Sequence, residues 1–90
     1  MRQTISILVR GKVQGVYYRH YTKTKAEELG ITGTVKNLPD GSVYIIATGE
    51  DYQITDLLNY CKQGPPKAVV SEVIKEEILL QNFTSFQIIR

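Results

Sequence analysis

Apolar residues recur with a period of two in some stretches of this chain and with a helical period in others. Alternation over Ile5–Val9, Ile31–Val35 and Val43–Ala47 predicts three strands, each with one face committed to a core. Helical spacing over Tyr18–Leu29 predicts a first helix, which Gly30 ends as the residue after its last turn. The spaced positions are Tyr18, Tyr21 with Thr22, Ala26 and Leu29.

The second half of the chain repeats this change of period. An acidic pair, Glu50–Asp51, opens a second helix whose apolar stripe ends at Gly64-Pro65-Pro66. The stripe consists of Ile54, Leu57, Leu58 and Cys61, and we expect the cysteine to be a plain core residue. Ala68–Leu80 is rich in strand-forming residues, and Phe86–Ile89 predicts a short terminal strand.

The predicted order is βαββαβ with a terminal strand. The segment Asn37–Gly41, N-L-P-D-G, predicts a turn that joins the second and third strands as an antiparallel hairpin. Right-handed crossovers place both helices on one face of one sheet. The sequence therefore predicts an α+β, ferredoxin-like split βαβ sandwich with an antiparallel sheet, as a single domain over residues 1–90. That fold hosts many unrelated functions.

Composition and charge exclude only a few classes of protein. The chain is 42% hydrophobic and 22% charged, as is usual for a soluble globular protein. A net charge of +2 without a dense basic block does not indicate nucleic-acid binding. One cysteine allows no internal disulfide and no cysteine metal cluster. Apolar runs of a few residues are too short to span a membrane, and no targeting segment is evident, so we expect a cytoplasmic protein.

The loop between the first strand and the first helix is the main candidate for chemistry. It carries Gly11 and Gly15, and it leads into the positive end of the helix dipole. Taken alone, the two glycines indicate only a tight turn. A Walker loop is excluded because Gly15 is not followed by Lys and Ser or Thr. The spacing also lacks the dinucleotide fingerprint, so one small phosphate is a better fit than a nucleotide.

Charge order on the first helix favours an anion in that loop. Basic residues crowd its first half, and Glu27 and Glu28 lie near its end, which is the reverse of the dipole preference. The basic residues are Arg19, His20, Lys23 and Lys25. An external anion would compensate, whereas the second helix needs no such compensation because it follows the rule.

For Asn37, His20 and three tyrosines, the sequence also allows a structural role without any part in function. Asn37 either hydrogen-bonds within its turn or reaches the loop, and strand pairing cannot be settled from sequence. We expect His20 to face solvent on its helix, because no metal or triad spacing surrounds it. We expect Tyr17, Tyr18 and Tyr21 to pack against the loop and the core.

Two ordered motifs resemble those of the acylphosphatase family. G-K-V-Q-G-V-Y-Y-R, from Gly11 to Arg19, is similar to the signature loop G-x-V-Q-G-V-x-F-R, and G-T-V-K-N-L-P-D-G-S-V, from Gly33 to Val43, is similar to the second signature. Gly64-Pro65-Pro66 and the ending Phe86-x-Ile88 also resemble the family, so the resemblance covers nearly the whole chain. One departure is Tyr18, where the family usually has Phe, and its hydroxyl must reach water or a partner.

This resemblance implies hydrolysis of acyl phosphates without a metal or cofactor. It implies that Arg19 binds the phosphate, that Asn37 positions the attacking water, and that loop amides bind the phosphate oxygens. The implied phosphate-binding residues are Gly11, Lys12, Val13, Gln14, Gly15, Val16, Tyr17 and Arg19. We expect inorganic phosphate to be a product and a competitive inhibitor, and the protein to be a monomer without nucleic-acid or membrane partners.

Functions of other classes are also compatible with this order of elements. RNA-recognition domains share the βαββαβ order, but they stack bases on aromatic residues of the two central strands. Here the third strand has only Tyr44 and the first strand has none. A small-anion module without catalysis is a second alternative, and a third is a module that serves a larger enzyme in trans by handling carbamoyl phosphate. The absence of a C-x-x-C pair excludes a metallochaperone.

Overall fold

The alternating stretches form strands and the helical stripes form helices in a computed structural model that describes all 90 residues. Both helices pack on one five-stranded sheet. The elements are β1 (Arg2–Lys12), α1 (Tyr18–Leu29), β2 (Thr32–Asn37), β3 (Val43–Glu50), α2 (Asp51–Gln63), β4 (Val69–Ile78) and β5 (Phe86–Ile89). The predicted order and the predicted α+β sandwich are confirmed.

Strand order in the sheet is β4-β1-β3-β2-β5. β3 lies at the centre of the sheet and forms the predicted antiparallel hairpin with β2. β1 pairs antiparallel with β3 on one side and with β4 on the other. The expectation of an antiparallel sheet is wrong for the terminal strand, because β5 pairs parallel with β2, with Val35 opposite Ile88. β4 ends at the end of the sheet where β1 and β2 begin. The following strand must therefore run in the direction of β2.

The connection from β4 to β5 crosses the sheet over two buried threonines. The hydroxyl of Thr48 donates to the carbonyl of Gln81 at 2.7 Å, and the hydroxyl of Thr4 donates to the Thr48 oxygen at 2.6 Å. The backbone N–H of Gln81 in turn donates to the Thr4 hydroxyl at 2.9 Å. These bonds satisfy buried hydroxyls and fix the path that carries β5 to the far edge of the sheet.

β1 is longer at both ends than its alternating stretch. It continues to Lys12 because pairing with β4 extends there, across a bulge between Arg10 and Gly11. Gly11 has φ +131°, and a Cβ atom on it would lie 2.1 Å from the carbonyl oxygen of Val69. Glycine is therefore required at this position by the bulge, and the loop proper begins only after Lys12.

The core lies between the sheet and the two helices. Ile5, Ile7 and Val9 of β1 are fully buried, and they pair with buried residues of β3. Cys61 is fully buried on the stripe of α2, as predicted, and burial raises the pKa of its thiol to about 12. Tyr21 is 42% exposed, so the expectation that it packs in the core is wrong. Neither helix has the length and apolar character that crossing a membrane requires.

Candidate active site

A cavity of about 620 Å³ opens at one end of the sheet. β1, β2 and β5 all run in the same direction, so the residues at their carboxyl ends meet there. The lining residues are Val13, Gln14, Gly15, Tyr17, Tyr18, Arg19, His20, Asn37, Ile88 and Arg90. Arg19 and Asn37, which lie 18 positions apart in the sequence, therefore share one cavity. No aspartate or glutamate lines it.

Buried valines hold the loop between β1 and α1 in place. Val13 and Val16 are buried. Gly15, which precedes Val16, and Tyr17, which follows it, are exposed. Gly15 has φ +74° with open space around it, so glycine serves backbone conformation there and not close packing. Tyr17 has φ 62°, and it is the one residue other than glycine with a positive φ. A left-handed conformation at such a residue costs on the order of 1 kcal/mol.

The loop leaves a run of backbone amides without acceptors in the protein. No backbone N–H from Val13 to His20 donates to a backbone carbonyl, and none donates to a side chain. The first bond of the helix is from the N–H of Tyr21 to the carbonyl of Tyr17, at 3.0 Å. These amides surround the start of α1, where unpaired N–H groups and the helix dipole favour an anion.

The two helices begin in opposite ways. α2 has a complete capping box between Glu50 and Gln53, with Asp51 in its first turn. α1 has no side-chain cap and no acidic residue in its first turn. Lys23 forms an ion pair with Glu27 at 2.6 Å, but that pair lies on the exposed surface further along the helix. The positive start of α1 is thus uncompensated within the chain, in agreement with the charge order.

Arg19 and Asn37 enter the cavity without internal partners. The guanidinium of Arg19 forms none of the ion pairs in the structure, and neither side chain takes part in a hydrogen bond. Asn37 does not hydrogen-bond within its turn, which was its ordinary alternative. The turn is held instead by Asp40, whose Oδ1 accepts from the backbone N–H of Ser42 at 2.9 Å and from its hydroxyl. Those bonds lower the pKa of the Asp40 carboxyl.

Gln14 connects the loop to the same turn. Its side-chain Nε2 donates to the carbonyl of Leu38 and to the carbonyl of Ser42, each at 2.8 Å. Both carbonyls also accept bonds inside the turn, from the backbone N–H of Gly41 and of Leu38 respectively. Leu38 directly follows Asn37, so the loop and the strand end that carries Asn37 are joined by side chain as well as by topology.

Tyr18 carries the one departure from the family motif, and its hydroxyl has a partner. The hydroxyl donates to the carbonyl of Cys61 at 2.8 Å, in the core between α1 and α2. In a continuing helix that carbonyl would accept from the residue four positions later, which is Pro65 and has no N–H. Tyr18 therefore satisfies a helix-end carbonyl that the chain cannot satisfy otherwise. Burial raises the pKa of its phenol, so the hydroxyl stays protonated.

Most predicted loop residues line the cavity, but three do not. Gly11 and Lys12 belong to β1, and Val16 is buried beneath the loop. Tyr17 is 75% exposed at the cavity rim, so it does not pack as expected.

His20 is exposed, as predicted, and it also lines the cavity. Sequence reasoning missed Ile88 and Arg90, which reach the cavity from the end of β5. The parallel direction of β5 would have located them, and no local pattern indicates it.

The fold and this cavity define a class of small ferredoxin-like α+β proteins whose β1–α1 loop forms a candidate anion site. Within that class, the family model described as acylphosphatase matches residues 5–88. The chain belongs to the acylphosphatase family, and the predicted family is thereby confirmed.

Individual relatives agree along almost their whole length. A protein of Marinobacter nauticus named acylphosphatase is 55% identical over 82 residues, which are 90% of this chain and 89% of that one. The structure of an acylphosphatase from Coxiella burnetii has a TM-score of 0.94 and 44% identity, covering 97% of this chain and 92% of that chain. The crystal structure of acylphosphatase from Bacillus subtilis also has a TM-score of 0.94, with 31% identity and full coverage of both chains. The alternative of an RNA-binding module is not favoured.

Proposed function

We propose that this protein hydrolyses acyl phosphates to a carboxylate and inorganic phosphate. In this mechanism Arg19 and the loop amides hold the phosphate, and Asn37 positions the attacking water. One observation carries the proposal: unpaired backbone amides, an unpaired guanidinium and an unpaired side-chain amide converge on one cavity of a chain in the acylphosphatase family.

Phosphate binding follows from the loop. Amides between Gln14 and His20 offer donors to non-bridging oxygens, and the uncapped start of α1 adds partial positive charge. Arg19 adds a planar fork of donors with a permanent charge. Because no acidic residue lines the cavity, the field there is favourable to a dianion. The transition state gains most, since the charge on the equatorial oxygens is bound by groups that are already in place.

Water activation needs orientation more than a strong base. The carboxylate of an acyl phosphate is a good leaving group, so its departure requires little help from an acid. The water oxygen forms a bond to phosphorus opposite the breaking P–O bond, and the electron pair of that bond leaves on the carboxylate. One proton of the water passes to a non-bridging phosphoryl oxygen, so the products are the carboxylate and dihydrogen phosphate. The amide oxygen and the NH₂ group of Asn37 are both free, so the oxygen can accept a hydrogen bond from the water and orient it. The proposed mechanism uses no metal ion and no cofactor.

The proposal extends to how the protein meets its ligands. Inorganic phosphate carries the same oxygens that the loop binds in the substrate, so we expect it to compete with the substrate as a product inhibitor. We also expect the protein to act as a monomer, because every side chain of the proposed mechanism comes from one copy of the chain.

A substrate panel tests the function directly. Several acyl phosphates, including an aryl acyl phosphate, are compared with ordinary phosphate monoesters, with and without inorganic phosphate. We expect hydrolysis of acyl phosphates only, and inhibition by phosphate that raises KM without lowering kcat. Equal rates on monoesters, or no hydrolysis of any acyl phosphate, would refute the proposal.

The role of Asn37 has its own test. We expect Asn37→Ala to lower kcat about 100-fold or more, because the water loses its orientation. Asn59→Ala is the matched control, since Asn59 is an exposed asparagine on α2, away from the cavity. Hydrolysis of an aryl acyl phosphate by Asn37→Ala at the wild-type rate would exclude the proposed role of this residue.

A further inference from the structure

We propose that the side chain of Gln14 is a positioning residue that holds Asn37 in register with the phosphate loop. This inference rests on the proposed function, and it assigns Gln14 a role separate from the contribution of its backbone amide. Its basis is the pair of hydrogen bonds that the side chain makes to the turn after β2.

Both protons of the Gln14 amide are committed to that turn. Nε2 donates to two carbonyl oxygens, those of Leu38 and Ser42, at 2.8 Å each. A carbonyl oxygen can only accept, so the NH₂ group, and not Oε1, must face the turn. The orientation of the side chain is therefore determined by its surroundings. Gln14 is also half-buried, so water competes for these bonds less than it would at an exposed residue.

The turn is rigid where Gln14 meets it. Leu38 donates from its N–H to the carbonyl of Ser42 at 2.9 Å, and Gly41 donates from its N–H to the carbonyl of Leu38 at 3.1 Å. Asp40 fixes Ser42 through both the backbone and the hydroxyl. The two carbonyls that accept from Gln14 thus belong to one hydrogen-bonded turn, and Asn37 is the residue immediately before that turn.

The loop and the turn have no other hydrogen bond between them. Asn37 ends β2, and β2 is not paired with β1, because β3 lies between the two strands. A small shift of either the loop or the turn would therefore alter the distance between the loop amides and Asn37. Gln14 spans this gap, so it couples the phosphate site to the side chain proposed to hold the water. A misplacement of about 1 Å in such a site can cost 100-fold in rate.

Gln14→Met tests the coupling because it keeps the length of the side chain and removes both donors. We expect kcat for an acyl phosphate to fall about 10-fold to 100-fold, while KM and inhibition by inorganic phosphate change less than about twofold. Phosphate binding depends on backbone amides and Arg19, which this substitution leaves in place. Gln14→Glu, which presents only acceptors to two carbonyls, should lower kcat at least as far. Gln63→Met, at an exposed glutamine at the end of α2, is the control.

A double-mutant cycle separates positioning from a general loss of structure. If Gln14 acts through Asn37, Gln14→Met should cost less than about twofold in an Asn37→Ala background. An equal cost in both backgrounds, or a parallel loss of phosphate inhibition, would overturn the inference.

Hydrogen exchange at the amides of Leu38 and Gly41 gives a readout that does not depend on activity. We expect faster exchange in Gln14→Met than in the Gln63→Met control. Unchanged exchange together with unchanged kcat would also overturn the inference. A wild-type protein inactive on every acyl phosphate would instead contradict the proposed function.

Discussion

Removing one oxygen from Tyr18 should destabilise the protein measurably. Tyr18→Phe keeps the buried ring, which is 1% exposed, and deletes the hydroxyl that donates to the carbonyl of Cys61 at 2.8 Å. Pro65 cannot supply an N–H to that carbonyl, and no other group in the structure donates to it. The substitution therefore leaves a buried acceptor at the end of α2 without a partner.

The expected loss of stability follows from the cost of leaving this carbonyl unpaired. Leaving a buried polar group unpaired costs about 1–3 kcal/mol, and the cavity left by one oxygen adds little. Since a carbonyl is a neutral acceptor, we expect the free energy of unfolding to fall by about 1–2 kcal/mol. For a domain of this size that change lowers Tm by roughly 5–15 °C.

Urea denaturation at neutral pH measures the loss, with thermal unfolding as a second probe. Tyr52→Phe is the matched control, because Tyr52 also lies on α2 but is 70% exposed and makes no hydrogen bond. Its free energy of unfolding should stay within about 0.5 kcal/mol of the wild type. If Tyr18→Phe were equally close to the wild type, the carbonyl of Cys61 would have another partner and the explanation of this tyrosine would be wrong.

Three further variants test other parts of the structure. Arg19→Lys should lose activity about 100-fold or more in a kinetic assay, because a point charge cannot replace the fork of donors; wild-type activity would contradict its proposed role. Gly15→Ala and Gly30→Ala impose similar backbone strain, at φ +74° and +77°, and a Cβ at Gly30 would also lie 3.1 Å from Nε2 of Gln53. Both variants should therefore lose at least about 1 kcal/mol of stability in urea, while only Gly15→Ala should lower kcat. Asp40 has a lowered pKa, so its stabilisation is present above the ordinary aspartate pKa of about 3.9 and is lost as pH falls through the lowered value. The stability difference between the wild type and Asp40→Asn should accordingly shrink below pH 4 in denaturation curves, and a constant difference would contradict this origin.

Sequence patterns predicted correctly those features whose physical cause lies within a few neighbouring residues. The hairpin of β2 and β3 follows from an Asp-Gly turn between two alternating stretches, and the structure has that hairpin. The ends of α1 and α2 follow from Gly30 and Gly64. The unusual charge order of α1 was also visible in advance, because the dipole and the charges that oppose it lie within one helix.

Features that depend on contacts between distant parts of the chain could not be predicted from local sequence patterns. Parallel pairing of β5 with β2 depends on where the preceding connection crosses the sheet, and only the fold determines that path. Ile88 and Arg90 consequently reach the cavity although the ending Phe86-x-Ile88 predicted only a terminal strand and no contact with the site. Likewise, Gly11 looked like a loop glycine, whereas pairing with β4 makes it a bulge residue.

The sequence by itself determined the order of elements, the loop conformation that needs glycine, and the family motifs that bear Arg19 and Asn37. Only the tertiary structure decided that these two residues share a cavity, that Gln14 joins the loop to the turn, and that Tyr18 serves the end of α2. The physical reason is that Gln14 and Tyr18 both bind backbone carbonyls. Every residue carries such a carbonyl, and the carbonyls that these two side chains bind lie 24 to 43 positions away in the sequence. No local pattern therefore marks which carbonyl a side chain will reach until the chain is folded.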